Sequence, residues 1–131
     1  MIEYSHNMKF ITTTVTGQGR GKELGYPTVN MLIPENVPLL LIPGIYAAKA
    51  VIKGEKYYGA LYYGQVPTFD EEDNVLEIHL FDTLNFYLGS GEEIEVETVK
   101  YIRDIIKFEL PEQLVLQMDK DTAIIRKILK I

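Results

Sequence analysis

The chain reads as an all-β domain closed by one C-terminal α-helix, and two observations predict this. Short runs rich in β-branched and aromatic residues recur up to Tyr101, separated by turns that contain glycine or proline. After Pro111 the apolar residues switch to helical spacing, at Leu114, Met118, Ile125 and Leu129. No internal repeat or linker breaks the 131 residues, so one domain spanning 1–131 is expected. Many short strands joined this way form a barrel or a sandwich, and a barrel has the advantage of leaving no free strand edge.

The elements follow in order. Ile11–Val15, with its threonines, predicts the first strand, and a glycine-rich loop follows it. Pro27 reopens an extended segment over Thr28–Ile33. Pro34–Pro43 holds three prolines around the apolar stretch Val37–Ile42 and reads as a loop or excursion. Gly44–Lys53 and Glu55–Gly64 predict two long strands with Gly54 at a tight hairpin. The acidic stretch Pro67–Asn74 reads as a loop, and Val75–Phe81 as the next strand. Ser90 and Gly91 lead into Glu93–Tyr101, where glutamates alternate with apolar residues. Pro111 suits the first turn of the final helix, with Asp119, Lys120 and Lys127 off its apolar stripe.

Composition narrows the function classes. The formal net charge of −6 argues against a general nucleic-acid binder. The absence of cysteine excludes disulfides, thiolate metal sites and cysteine nucleophiles. No apolar run reaches the roughly 20 residues of a membrane span, and Met1–Lys9 lacks the apolar core of a signal peptide, so no membrane role and a cytoplasmic location are expected.

The segment Gly17–Asn30, GQGRGKELGYPTVN, carries the densest chemistry. Its glycines allow close approach of an anion to backbone amides, and Arg20 and Lys22 supply positive charge. Thr28 and Asn30 alternate to one face of an extended strand and offer the neutral oxygens that magnesium accepts. The segment fits neither a Walker A loop nor a Rossmann fingerprint, so on spacing alone a decorated β-turn competes with a phosphate cradle. In VLEIHLF, Leu76, Ile78 and Leu80 point one way and Val75, Glu77, His79 and Phe81 the other. A carboxylate there, if partly buried, suits a general base, although a residue that faces solvent, or that pairs with a cross-strand cation such as Lys49, is the plainer reading. His79 reads as structural or exposed. Glu92, Glu93, Glu95 and Glu97 read as a solvated edge, and Asp70–Asp73 as loop solvation. Any tyrosine could stack on a flat ligand, but the pattern singles out none.

These residues resemble a known family. GRGKELGYPTVN is similar to the signature of riboflavin kinases, and four further blocks follow in the family's order: PGIYAAKA, YYGQVPTF, LEIHLFD and YIRDIIKFELPEQLVLQMDKD. The resemblance runs from about Phe10 to Arg126. It implies a six-stranded antiparallel Greek-key β-barrel with a C-terminal α-helix. It implies transfer of the γ-phosphoryl group of ATP to the 5′-hydroxyl of riboflavin, giving FMN, with Mg2+ as cofactor. By the same resemblance Gly17, Gly19, Arg20, Gly21, Lys22, Gly25, Pro27 and Thr28 would bind the nucleotide, and Thr28 and Asn30 the metal. Glu77 would accept the hydroxyl proton, and Arg103 and Phe108 would line the flavin side. Phosphoryl transfer needs mainly positioning and charge neutralisation, which such a set supplies.

The chain also departs from the family pattern. Val66 stands where arginine is usual, Ile105 where glutamate is usual, Leu88 interrupts a Leu-Tyr-Gly-Lys block, and Ser90 replaces its lysine. The departures fall on the expected flavin side, so a non-catalytic flavin or nucleotide sensor on the same barrel is the alternative. A plain β-barrel interaction module rests on composition alone. Many bacterial relatives carry an N-terminal adenylyltransferase domain. Only nine residues precede Phe10, so a separate FMN adenylyltransferase is expected for FAD synthesis, unless the chain is a piece of a longer protein.

Overall fold

Alternation along the strands builds the architecture. The computed structural model describes residues 8–15, 28–66, 71–83 and 89–131. Among the described residues there are six strands: β1 (Lys9–Val15), β2 (Thr28–Met31), β3 (Gly44–Ile52), β4 (Glu55–Val66), β5 (Glu71–Leu80) and β6 (Glu93–Arg103). They close into a barrel in the order β1-β2-β5-β4-β3-β6, with every pairing antiparallel. Strands β3, β4 and β5 form a meander, and β6 returns beside β3, which is the Greek-key order. A short helix, α1 (Val37–Leu40), connects β2 to β3, and a long one, α2 (Pro111–Leu129), follows β6.

The inner face is apolar and filled. Phe10, Val29, Met31, Leu61, Leu76, Ile78, Leu80, Ile94 and Val96 pack together there. The apolar stretch after Pro34, expected as a loop, winds instead into α1, which places Val37 and Leu41 in this cluster. Burial of those two side chains accounts for its composition. Tyr46 also joins the interior. Its hydroxyl donates to the Ile42 carbonyl at 2.6 Å, and burial, reinforced by Tyr101, pushes its phenol up to about 12.

The β3–β4 hairpin turns at Lys53 and Gly54, whose φ values of 52° and 79° give the primed turn that matches strand twist. The β4–β5 hairpin extends further than expected. Val66 pairs with Glu71, so residues 71–74 continue the strand rather than the preceding loop. An extended β4 offers these acidic residues a backbone partner, which overrides their turn-like composition. Glu93, Glu95 and Glu97 on β6 run between Lys9 of β1 and Lys49 of β3, with Lys9 Nζ 3.5 Å from Glu95. Lys49 thus lies across from Tyr58 and Glu97, and not from Glu77.

Strands β4 and β5 approach closely at Gly59. A Cβ there would lie 2.3 Å from the carbonyl oxygen of His79, so backbone and not a pliable side chain blocks it. Gly59→Ala is expected to cost about 1–3 kcal/mol by forcing the strands apart. Urea unfolding measures this, and an unchanged midpoint would contradict the close approach.

The helix α2 covers part of the barrel's outer face. Gln113 accepts hydrogen bonds from the Glu109 and Leu110 amides, satisfying donors at its start. Ile125, Ile128 and Leu129 pack against Ile45, Ala47 and Phe81 on that face. Arg126 pairs with Asp82 at 2.8 Å and lies over the Phe81 ring. Among the described residues no helix is long and apolar enough to cross a membrane.

Candidate functional site

The register of three adjacent strands assembles the site. In the β2–β5 ladder Thr28 lies opposite His79 and Asn30 opposite Glu77. Directly opposed residues share a face, so all four side chains emerge on the outer side of the barrel, while Val29 and Ile78 between them are buried inside. Thus Thr28, Asn30 and Glu77, singled out on separate stretches of sequence, come together. The remaining nucleotide residues, Gly17, Gly19, Arg20, Gly21, Lys22, Gly25 and Pro27, lie outside the described residues, as does Leu88.

His79 is a buried member of this group and not an exposed one. Its Nδ1 is 3.5 Å from the Thr28 hydroxyl, and its Nε2 is 3.6 Å from the Glu77 carboxylate. A hydrogen on Nε2 would face the carboxylate and leave Nδ1 to accept from Thr28, so one neutral tautomer suits both neighbours. The Thr28 hydroxyl and the Asn30 carboxamide, on one face, are the kind of small, neutral oxygen groups that suit magnesium bound chiefly through phosphates and water.

On the opposite side of β5, Glu77 faces Tyr62 of β4. From there a cleft opens between the outer face of the barrel and α2. Ile45, Tyr62 and Val66 line it from the strands, and Leu114 and Met118 from the helix. Glu77, His79 and Arg103 also reach it, so a polar edge meets an apolar body.

Two irregularities in β6 cancel at Arg103, which keeps the outward parity of Glu93, Glu95 and Glu97, while Tyr101 between them turns inward. The β3–β6 ladder skips Val99 between its Ala47 and Ala48 pairings, and Ile102 between its Ile45 and Tyr46 pairings. Each extra residue reverses the side-chain parity. Tyr101 therefore pairs with inward-facing Tyr46, while Arg103 pairs with outward-facing Ile45. Its guanidinium then meets Asp121 of α2, with Nε–Oδ1 at 2.9 Å and Nη2–Oδ2 at 2.7 Å. Gln117 donates to the same carboxylate at 3.0 Å, and Arg103 Nη1 donates to the Asp104 carbonyl. Asp121 was not a sequence candidate. Its signal was a carboxylate three residues after Met118 and four before Ile125, on the buried stripe of the helix.

Of the other sequence candidates, Phe108 is half-buried between β6 and α2 and is not among the cleft's lining residues. Ile105 packs on the outer cluster, where its Cδ1 lies 2.4 Å from the position a Gly64 Cβ would take. Two of the departures, Val66 and Ile105, thus add apolar surface at or beside the cleft.

A family model for flavokinase, described as riboflavin kinase, matches residues 4–129. A bifunctional riboflavin kinase/FMN adenylyltransferase of Haemophilus influenzae is 37% identical, covering 82% of this chain and 34% of the relative. The chain spans about a third or less of the length of the first curated relatives it matches. A solved structure from Streptococcus pneumoniae, titled as a macrolide-efflux protein, superposes with a TM-score of 0.75 at 30% identity, covering 92% of this chain and 38% of that one. The riboflavin kinase of Trypanosoma brucei superposes with a TM-score of 0.63 at 18% identity, covering 93% and 80%, a likeness of fold.

Proposed function

The chain belongs to the riboflavin kinase family, and from that premise we propose that it transfers the γ-phosphoryl group of ATP to the 5′-hydroxyl of riboflavin, with Glu77 as the general base. The observation that carries this reading is the placement of Glu77 between two unlike neighbours. Asn30 lies across from it on one strand, and Tyr62, in the wall of the cleft, on the other.

A bound Mg2+ would neutralise phosphate charge and align the γ-phosphoryl group. Thr28 and Asn30 are the residues that would hold it, on the side of Glu77 away from the cleft. The flavin enters from the cleft side with its ribityl end toward Glu77. The carboxylate orients the 5′-hydroxyl and accepts its proton as the new oxygen–phosphorus bond forms. The bond from the γ-phosphorus to the bridging oxygen breaks, and ADP leaves with that oxygen. His79, wedged between Glu77 and Thr28, restrains both side chains, so base and metal site keep a fixed separation.

The alternative, flavin or nucleotide binding without turnover, draws on apolar Val66 in the cleft wall. The presence of Thr28, Asn30 and Glu77 on one face favours the kinase. Purified protein given riboflavin, ATP and Mg2+ should yield FMN, resolved chromatographically from riboflavin, and excess EDTA should stop the reaction. Tight riboflavin binding with no FMN under any nucleotide or divalent metal would leave the sensor reading in its place.

A further inference from the structure

The sequence offers nine tyrosines and no reason to prefer one. The register supplies a reason. Tyr62 lies directly across from Glu77, on the side away from Asn30, and its side chain lines the cleft beneath α2. Across the sheet the order is therefore metal-type oxygens, carboxylate, aromatic ring. Adjacent strands are about 4.8 Å apart, so a substrate whose hydroxyl rests on Glu77 and whose body fills the cleft must pass over Tyr62.

The ring is also held. The Tyr62 hydroxyl donates to the backbone carbonyl of Gln65, farther along the same strand. Anchoring at both ends removes rotamer freedom that binding would otherwise have to freeze. Burial above all, and then the charge of Glu77 opposed by Arg103, hold the phenol above its ordinary range, so it remains neutral beside the carboxylate. Leu114 and Met118 approach the same cleft from the helix, giving a slot with an aromatic side and an aliphatic-thioether side.

We propose that Tyr62 is a specificity-determining residue for the acceptor, its fixed ring forming the wall against which a flat aromatic ring system packs while the attached hydroxyl reaches Glu77. The proposal rests on the kinase reading of this cleft and adds the residue that selects an aromatic acceptor over a bare polyol.

Fluorescence separates the two claims. A phenol in contact with excited isoalloxazine donates an electron to it and recovers that electron without light emission, whereas a phenylalanine ring does not. Riboflavin bound to the wild-type protein should therefore be dim, and riboflavin bound to Tyr62→Phe bright. Because Tyr62→Phe keeps the wall, its riboflavin KM should stay close to wild type. Tyr62→Ala should raise that KM about tenfold and leave the KM for ATP unchanged. Tyr101→Phe, altering a ring packed against Tyr46, should leave bound riboflavin dim.

Equal brightness of riboflavin on wild type and Tyr62→Phe overturns the proposal even if Tyr62→Ala fails to fold. An unchanged riboflavin KM in folded Tyr62→Ala also overturns it. A wild-type protein that binds riboflavin dimly but makes no FMN overturns the kinase reading and leaves the aromatic wall standing. A wild-type protein that does not bind riboflavin overturns both.

Discussion

Glu77→Gln is expected to lower kcat for FMN formation by about 10²–10⁴-fold, the range that a positioned general base contributes. Glutamine keeps the shape and can still hydrogen-bond the acceptor hydroxyl, but it cannot take its proton. The KM values for riboflavin and ATP should change little, because the cleft wall and the Thr28 and Asn30 oxygens are untouched. A low kcat at unchanged KM is the pattern of an interaction made only in the transition state. Riboflavin fluorescence titration should confirm that the variant still binds. Turnover near the wild-type rate would remove Glu77 from the role of base and return it to the alternative of a merely polar strand residue.

The second large effect concerns stability. Asp121→Ala is expected to destabilise the protein by about 3–5 kcal/mol, because it leaves the Arg103 guanidinium largely buried without its counter-charge. The Arg103 and Asp121 side chains are 16% and 5% exposed, so the pair is not in the regime of weak surface ion pairs. The Arg126–Asp82 pair, with side chains 34% and 73% exposed, is in that regime. Urea unfolding followed by circular dichroism measures both. The double variant Arg103→Met/Asp121→Leu should recover most of the loss, since it removes both charges together. Failure of the single variant to shift the midpoint would mean that α2 is held without this contact.

Some of this was legible in the sequence because it is local. The alternation of Leu76, Ile78 and Leu80 with Glu77 and His79 assigns both faces of β5, and Gly54 fixes the β3–β4 hairpin. Pro111 begins the helix as its chemistry implies. Other features depend on partners far along the chain. The inward turn of Tyr101 lies between two bulges against β3, and bulges leave no alternation signal. Asp121 falls on the buried stripe of the helix, but only the fold sets its partner Arg103 opposite it. Glutamates and asparagine at 71–74 look like a loop because only the neighbouring β4 makes them a strand. Tyr62 is one of many tyrosines until the β4–β5 register sets it against Glu77.

The parity of β5 has a consequence for folding fidelity. The strand interleaves two alphabets, one for the interior and one for the chemistry. A slip of one residue would exchange them, driving Glu77 and His79 into the barrel and exposing Leu76, Ile78 and Leu80. Burial of an unpaired carboxylate is among the costliest errors a core can contain. The misaligned form would thus lack the filled interior, so the register that fills the barrel is also the one that sets Glu77 between Asn30 and Tyr62. The hydrogen-bond ladder that closes the barrel also fixes the face on which the proposed base stands.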